Sequence, residues 1–129
     1  MHFIELVVLL AVFQFFFFGY QVALQRQKSG LVAPAMTGDE GFERMYRVQM
    51  NTLETLVPFL PALILAGQYW PELLIAPIGA VYLIGRMLYW RAYTTQPSKR
   101  GLGFALSLFP TIALLLLAGL GVVMAMLAA

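Results

Sequence analysis

Cysteine is absent from the chain, and histidine occurs once, as His2. The first absence removes disulfides, thiolate nucleophiles and thiolate-held metals. The second leaves no imidazole pair for zinc and no Ser-His relay, so no metal site is expected. Charge is scarce as well: Asp, Glu, Lys and Arg make up 11% of 129 residues, against about 25% in soluble domains. The net charge of +2 is small and locally distributed, which does not suggest a nucleic-acid partner.

Apolar residues fill the space that charge leaves, at 61% of the chain. They fall into long runs separated by short polar breaks, the pattern of an all-α, four-transmembrane-helix bundle in one domain covering residues 1–129. The expected spans are residues 3–25, 40–67, 73–94 and 102–127, to within about two residues. The first has no basic residue ahead of its apolar run and carries Arg26 and Lys28 behind it, so it reads as a retained helix rather than a leader. Pro58 and Pro61 interrupt the second span and predict a kink or local unwinding near residues 54–60. Arg26, Lys28, Arg44 and Arg47 flank the first connection, Arg91, Lys99 and Arg100 flank the third, and the second has no basic residue. Both termini are therefore expected to face away from the cytoplasm.

Against this background one stretch stands out. Phe42 to Glu54 places ionisable groups where apolar sequence is about to begin. On a helix of 3.6 residues per turn, Arg44, Arg47, Asn51 and Glu54 share an arc of roughly 80 degrees, while Gln49 points well away from it. In the third span Tyr82, Arg86, Tyr89 and Tyr93 recur at spacings of four, three and four, one helical stripe with Arg86 deep inside it. Arg86 needs a partner, and Glu54 is the expected one. Small residues in the last span, Ala105, Ala113, Ala118, Gly119, Gly121, Ala125 and Ala128, predict close helix packing.

Arg26, Arg44, Arg47 and Arg100, with Asn51, Glu54, Tyr89 and Tyr93, are expected near one membrane boundary. Guanidinium forks bind carboxylates and Glu54 would receive an amine, so the fitting ligand carries several carboxylates and one amine, as glutathione does. Arginine beside a ligand thiol would favour the thiolate. Topology signals, an aromatic interface belt and an internal salt-bridge network are the structural alternatives for the same residues.

Glu43-Arg44-x-x-Arg47-x-Gln49-x-Asn51-x-x-Glu54 resembles the signature of the MAPEG superfamily, the membrane-associated proteins in eicosanoid and glutathione metabolism. Pro58, Ala66-Gly67, Val81-Tyr82-Leu83-x-x-Arg86-x-x-Tyr89-x-x-x-Tyr93 and Arg100 extend the resemblance over most of the chain. It implies a homotrimer with glutathione, as co-substrate, in clefts between subunits. It further implies that Arg26, Arg47, Asn51, Glu54, Tyr89 and Tyr93 bind the ligand. Gln49 would reach it across the interface, Arg100 would stabilise the thiolate, and Arg44 would be structural. Thr55 stands where leukotriene-conjugating members have Tyr, and Gln27 where they have a second Arg. These departures point to a bacterial-type or general glutathione transferase, or peroxidase, acting on lipophilic electrophiles; a bacterial inner membrane is the expected location. A non-catalytic lipid-binding scaffold and a glutathione-dependent isomerase are the alternatives within the superfamily. A small multidrug exporter would need a carboxylate embedded in its first helix, whereas Glu5 lies at the end of that helix and Glu54 in the second.

Overall fold

The computed structural model describes residues 1–129. Four helices account for nearly all of them: α1 (His2–Ser29), α2 (Glu40–Tyr69), α3 (Glu72–Thr95) and α4 (Gly101–Ala128). Each is long and apolar enough to cross a membrane. Their outward faces are rich in Leu, Phe, Val and Met, which is the surface a lipid-facing bundle presents.

Local chemistry explains where the helices begin and end. The Glu72 carboxylate accepts from the backbone N–H groups of Phe3 at 2.6 Å and Ile4 at 3.4 Å. It thereby satisfies two of the free donors of the first turn of α1 and ties that turn to the start of α3. At the other end Gly30, with φ of 74°, donates to the carbonyls of Arg26 and Gln27 and closes α1 in the left-handed conformation that glycine adopts without strain. Asp39 caps α2 by accepting from Phe42 N–H at 2.9 Å.

Pro58 and Pro61 do not unwind α2, which is helical without a break from Glu40 to Tyr69. Each proline removes one intrahelical bond, while packing on both sides of the pair holds the helix together. Phe59 stacks on Tyr82 of α3 with ring centroids 3.7 Å apart, and Ala62, Leu63 and Ala66 are buried. Trp70, at the turn into α3, donates through its indole N–H to Leu117 O of α4 at 2.8 Å.

The core has two parts. The larger occupies the half of the bundle near the chain termini and includes Ile4, Ala11, Phe59, Leu63, Ile75 and Leu114. The smaller, at the opposite end, gathers Phe18, Val22, Phe42, Met45, Val48 and Tyr89. Between α3 and α4 the backbones nearly touch. A Cβ on Gly85 would lie 2.7 Å from Leu106 C, and one on Gly103 would lie 2.6 Å from Tyr89 Cα and closer still to its nitrogen. Only hydrogen fits at either position. The buried stripe of α4 is Gly103, Ser107, Pro110, Thr111, Leu114, Ala118 and Gly121. Of the small residues expected to pack, Ala118 and Gly121 do so, whereas Gly119, Ala125 and Ala128 are exposed.

Candidate functional site

The close crossing of α3 and α4 opens, at the end where α4 begins, into a cavity of about 550 Å³. Arg47 and Asn51 line it from α2, Tyr89 and Tyr93 from α3, and Ser98, Arg100, Gly101 and Phe104 from the connection and the first turn of α4. The sequence-predicted residues Arg47, Asn51, Tyr89, Tyr93 and Arg100 thus converge, and the lining contains no carboxylate.

Identifiable contacts hold Tyr89, Tyr93 and Arg100. Tyr89 is buried, its backbone pressed against Gly103, and its ring stacks on Tyr93 with centroids 5.4 Å apart. A single 3-10 turn, Pro97–Lys99, leads into Arg100, the N-terminal flanking residue of α4. Arg100 Nη1 donates to Pro97 O at 2.8 Å, and its guanidinium lies 5.9 Å from the centroid of the Tyr93 ring. The cavity therefore meets a helix N-terminus whose free N–H groups and macrodipole favour negative charge, in addition to two guanidinium groups.

Arg86 forms the floor behind these residues. It is fully buried, and its partners are neutral: Nε donates to Ser107 Oγ at 2.8 Å, and Nη1 donates to Asn51 Oδ1 at 2.8 Å and Thr52 Oγ1 at 3.2 Å. Its guanidinium lies 4.4 Å from the Tyr89 ring centroid. The expected Glu54 to Arg86 contact does not form, since neither residue takes part in an ion pair and Glu54 is exposed. Magnitudes explain how the cation manages without a carboxylate. An arginine at the centre of a membrane helix costs about 2.5–3.5 kcal/mol on insertion scales. Hydrogen bonds to a charged group contribute about 1.5–3 kcal/mol each. Three of them and an aromatic face offset that cost, while Nη2 is buried without a hydrogen-bond partner.

The remaining predicted residues lie elsewhere in the protomer. Arg26 donates through Nη1 to Ala35 O at 2.9 Å and stacks over Phe42 at 4.4 Å. Gln49 packs on α1, where its Nε2 would be 2.9 Å from a Cβ added to Gly19. Glu54 continues the Arg47 and Asn51 stripe one turn further along α2 but does not line the cavity. Arg44 is paired with Glu40 on its own helix. Arg26 and Arg44 thus share the end of the bundle that carries Arg47 and Arg100 but do not line the cavity.

Sequence reasoning missed Thr52, Ser107, Ser98 and Phe104. The signal for Ser107 and Thr111 was a four-residue spacing on α4 that joins Gly103 to the buried face, but hydroxyls back-bonded to their own helix carry no distinctive pattern. A second cavity, of about 540 Å³, lies on the outer α1–α3 face and is lined chiefly by Phe13, Phe17, Ile84 and Met87; it contains none of the charged residues.

Comparison with known proteins gives the family. The MAPEG family model matches residues 4–120. An uncharacterized protein of Synechocystis is 49% identical over 85 residues, which are 66% of this chain and 62% of the relative. Human microsomal glutathione S-transferase 2 is 39% identical over 106 residues, covering 82% of this chain and 72% of the relative. Bovine leukotriene C4 synthase is 36% identical over 94 residues, covering 73% and 63% respectively. With four membrane-capable helices and a family match over nearly its whole length, this multi-pass integral membrane protein belongs to the MAPEG family.

Proposed function

We propose that the chain is a membrane glutathione transferase that joins the glutathione sulfur to lipophilic electrophiles. The observation that carries this reading is the cavity at the head of α4, which brings two guanidinium groups, an amide and two stacked phenols to one helix N-terminus with no carboxylate among them. Such a lining suits a peptide with two carboxylates and a thiol. Arg47 and Asn51 would hold carboxylate or carbonyl oxygens, and the Tyr89 and Tyr93 hydroxyls would donate to the ligand. Arg100, exposed at the rim, would sit beside the sulfur and favour its thiolate form. The thiol gives its proton to water at the open rim, a sulfur lone pair forms the bond to the electrophilic carbon, and the leaving group departs with the bonding pair of the bond that breaks. The resemblance to human microsomal glutathione S-transferase 2 supports the same activity class.

Arg26, Gln49 and Glu54 complete the site in a homotrimer on this reading, with Arg26 and Gln49 coming from the neighbouring subunit. Glu54 supports it from within the protomer, because an exposed carboxylate inside an apolar helix costs about 2.5–3.5 kcal/mol against lipid. A subunit interface removes that cost. The basic connections lie at one end of the bundle, and by the positive-inside rule we take that end as cytoplasmic and both termini as facing the opposite side of a bacterial inner membrane.

Calorimetry of glutathione binding to detergent-purified protein, with the ultraviolet thiolate band followed in parallel, tests the proposal. Wild type is expected to bind and to show the band. Arg100→Ala should lose turnover toward an aryl halide by about 10²–10³-fold, the loss typical of removing one charge-stabilising donor. Full turnover with an unchanged band in Arg100→Ala would remove Arg100 from the chemistry, and absence of binding to wild type would remove glutathione.

A further inference from the structure

Arg86 touches no part of the cavity surface, yet two residues that do, Asn51 and Tyr89, rest on it. A guanidinium has only donors. The Asn51 atom facing Arg86 Nη1 at 2.8 Å must therefore be the amide oxygen, and the amide N–H₂ is turned to the other side, where Asn51 lines the cavity. An asparagine in an open site can flip to offer donor or acceptor; this one cannot flip without setting N–H₂ against a buried cation. The other acceptors around Arg86 are equally fixed. Ser107 Oγ donates to Gly103 O at 2.7 Å and Thr52 Oγ1 to Val48 O at 2.7 Å, so both turn a lone pair toward the guanidinium. No carboxylate forms an ion pair with Arg86.

We infer that Arg86 is the positioning residue of this cavity: it locks the Asn51 amide so that a donor pair faces the ligand, selecting a carboxylate or carbonyl oxygen there and rejecting an ammonium. The inference builds on the reading of the cavity as a glutathione site and adds which ligand group Asn51 takes.

Asn51 is the only asparagine in the chain, so selective ¹⁵N labelling of asparagine isolates its side-chain amide in an NMR spectrum of the full-length protein in micelles. Without ligand, wild type should show two well-separated amide proton signals. Arg86→Lys, which keeps the charge but loses the planar fork, should shift or merge them. With glutathione as the probe, the wild-type signals should move on titration, and Arg86→Lys should raise Kd at least tenfold. In an Asn51→Ala background the same Arg86→Lys change should alter Kd less than twofold, because the residue through which Arg86 acts is already gone. Equal factors in the two backgrounds, or Asn51 signals indifferent to Arg86→Lys, would overturn the inference.

Asn51→Asp gives a test that leaves Arg86 in place. One carboxylate oxygen would pair with Arg86 and the other would face the cavity, so glutathione should bind more weakly than to Asn51→Ala. Binding equal to or tighter than that of Asn51→Ala would refute the assigned orientation. If wild type fails to bind glutathione while its Asn51 signals still depend on Arg86, the positioning role stands and the glutathione reading falls.

Discussion

Arg86 and Arg100 stand on two sides of one cavity and are used in opposite ways. Arg86 is sealed in the floor, with Nε and Nη1 committed to side chains of α2 and α4. Arg100 lies exposed at the rim, held only by a carbonyl three residues earlier and the face of Tyr93. A guanidinium buried against fixed acceptors organises its neighbours, even with Nη2 unpartnered; one exposed at a rim is available to a ligand. The difference arises from the seam between α3 and α4, where two glycines let the helices close over Arg86 but not over Arg100.

The seam is the point at which the comparison breaks most easily. Gly103→Val would place a branched side chain against the Tyr89 backbone and force the helices apart, with an expected loss of at least about 3 kcal/mol, at the upper end of overpacking costs. Thermal unfolding in detergent should show the fall, and Arg86 should become accessible to water together with it. Retention of wild-type stability would mean that the seam does not hold the floor.

A smaller effect is expected further along the buried polar file. Thr55 Oγ1 donates to Thr52 O at 2.9 Å, which leaves the Tyr82 hydroxyl to donate to Thr55 at 2.9 Å while its ring stacks on Phe59. Tyr82→Phe keeps the stack and removes one hydrogen bond, so it should cost about 1 kcal/mol. Glutathione affinity should be unchanged, because Tyr82 does not line the cavity. A large loss of binding would extend the organising role of the floor by about one turn of α3.

The smallest effect belongs to the exposed stripe. Arg44 pairs with Glu40 four residues away at the start of α2, with the carboxylate 77% exposed. Arg44→Ala should change stability by about 0.3–0.5 kcal/mol and lose even that in high salt. Turnover should hold. A strong effect on activity would show that the rim extends beyond Arg47 and Arg100.

Part of the site was legible from spacing. Arg47 and Asn51 lie four residues apart on α2, Tyr89 and Tyr93 four apart on α3, and helical periodicity puts each pair on one face. Convergence of the two faces with Arg100 on one cavity bears out that much. Arg86 was marked by its depth, but Glu54 was the wrong partner. A carboxylate is the obvious counter-charge in a sequence, whereas Thr52 and Ser107 look like ordinary helix residues until the bundle closes. The unbroken α2 teaches a related lesson, since the cost of Pro58 and Pro61 is a local property and the packing that offsets it is not.

The sequence by itself determined that this chain is four membrane-length helices and which faces carry charge, with helix ends close to those expected except that α1 runs on to Ser29. Those properties depend on hydropathy, caps and a 3.6-residue period, all of which act within one helix. Only the tertiary structure decided which groups meet. Arg86 reaches Asn51 and Thr52 across 35 and 34 residues and Ser107 across 21. Those contacts depend on how the helices rotate and slide against one another, and at the α3–α4 crossing that is set by the absence of a Cβ at Gly85 and Gly103.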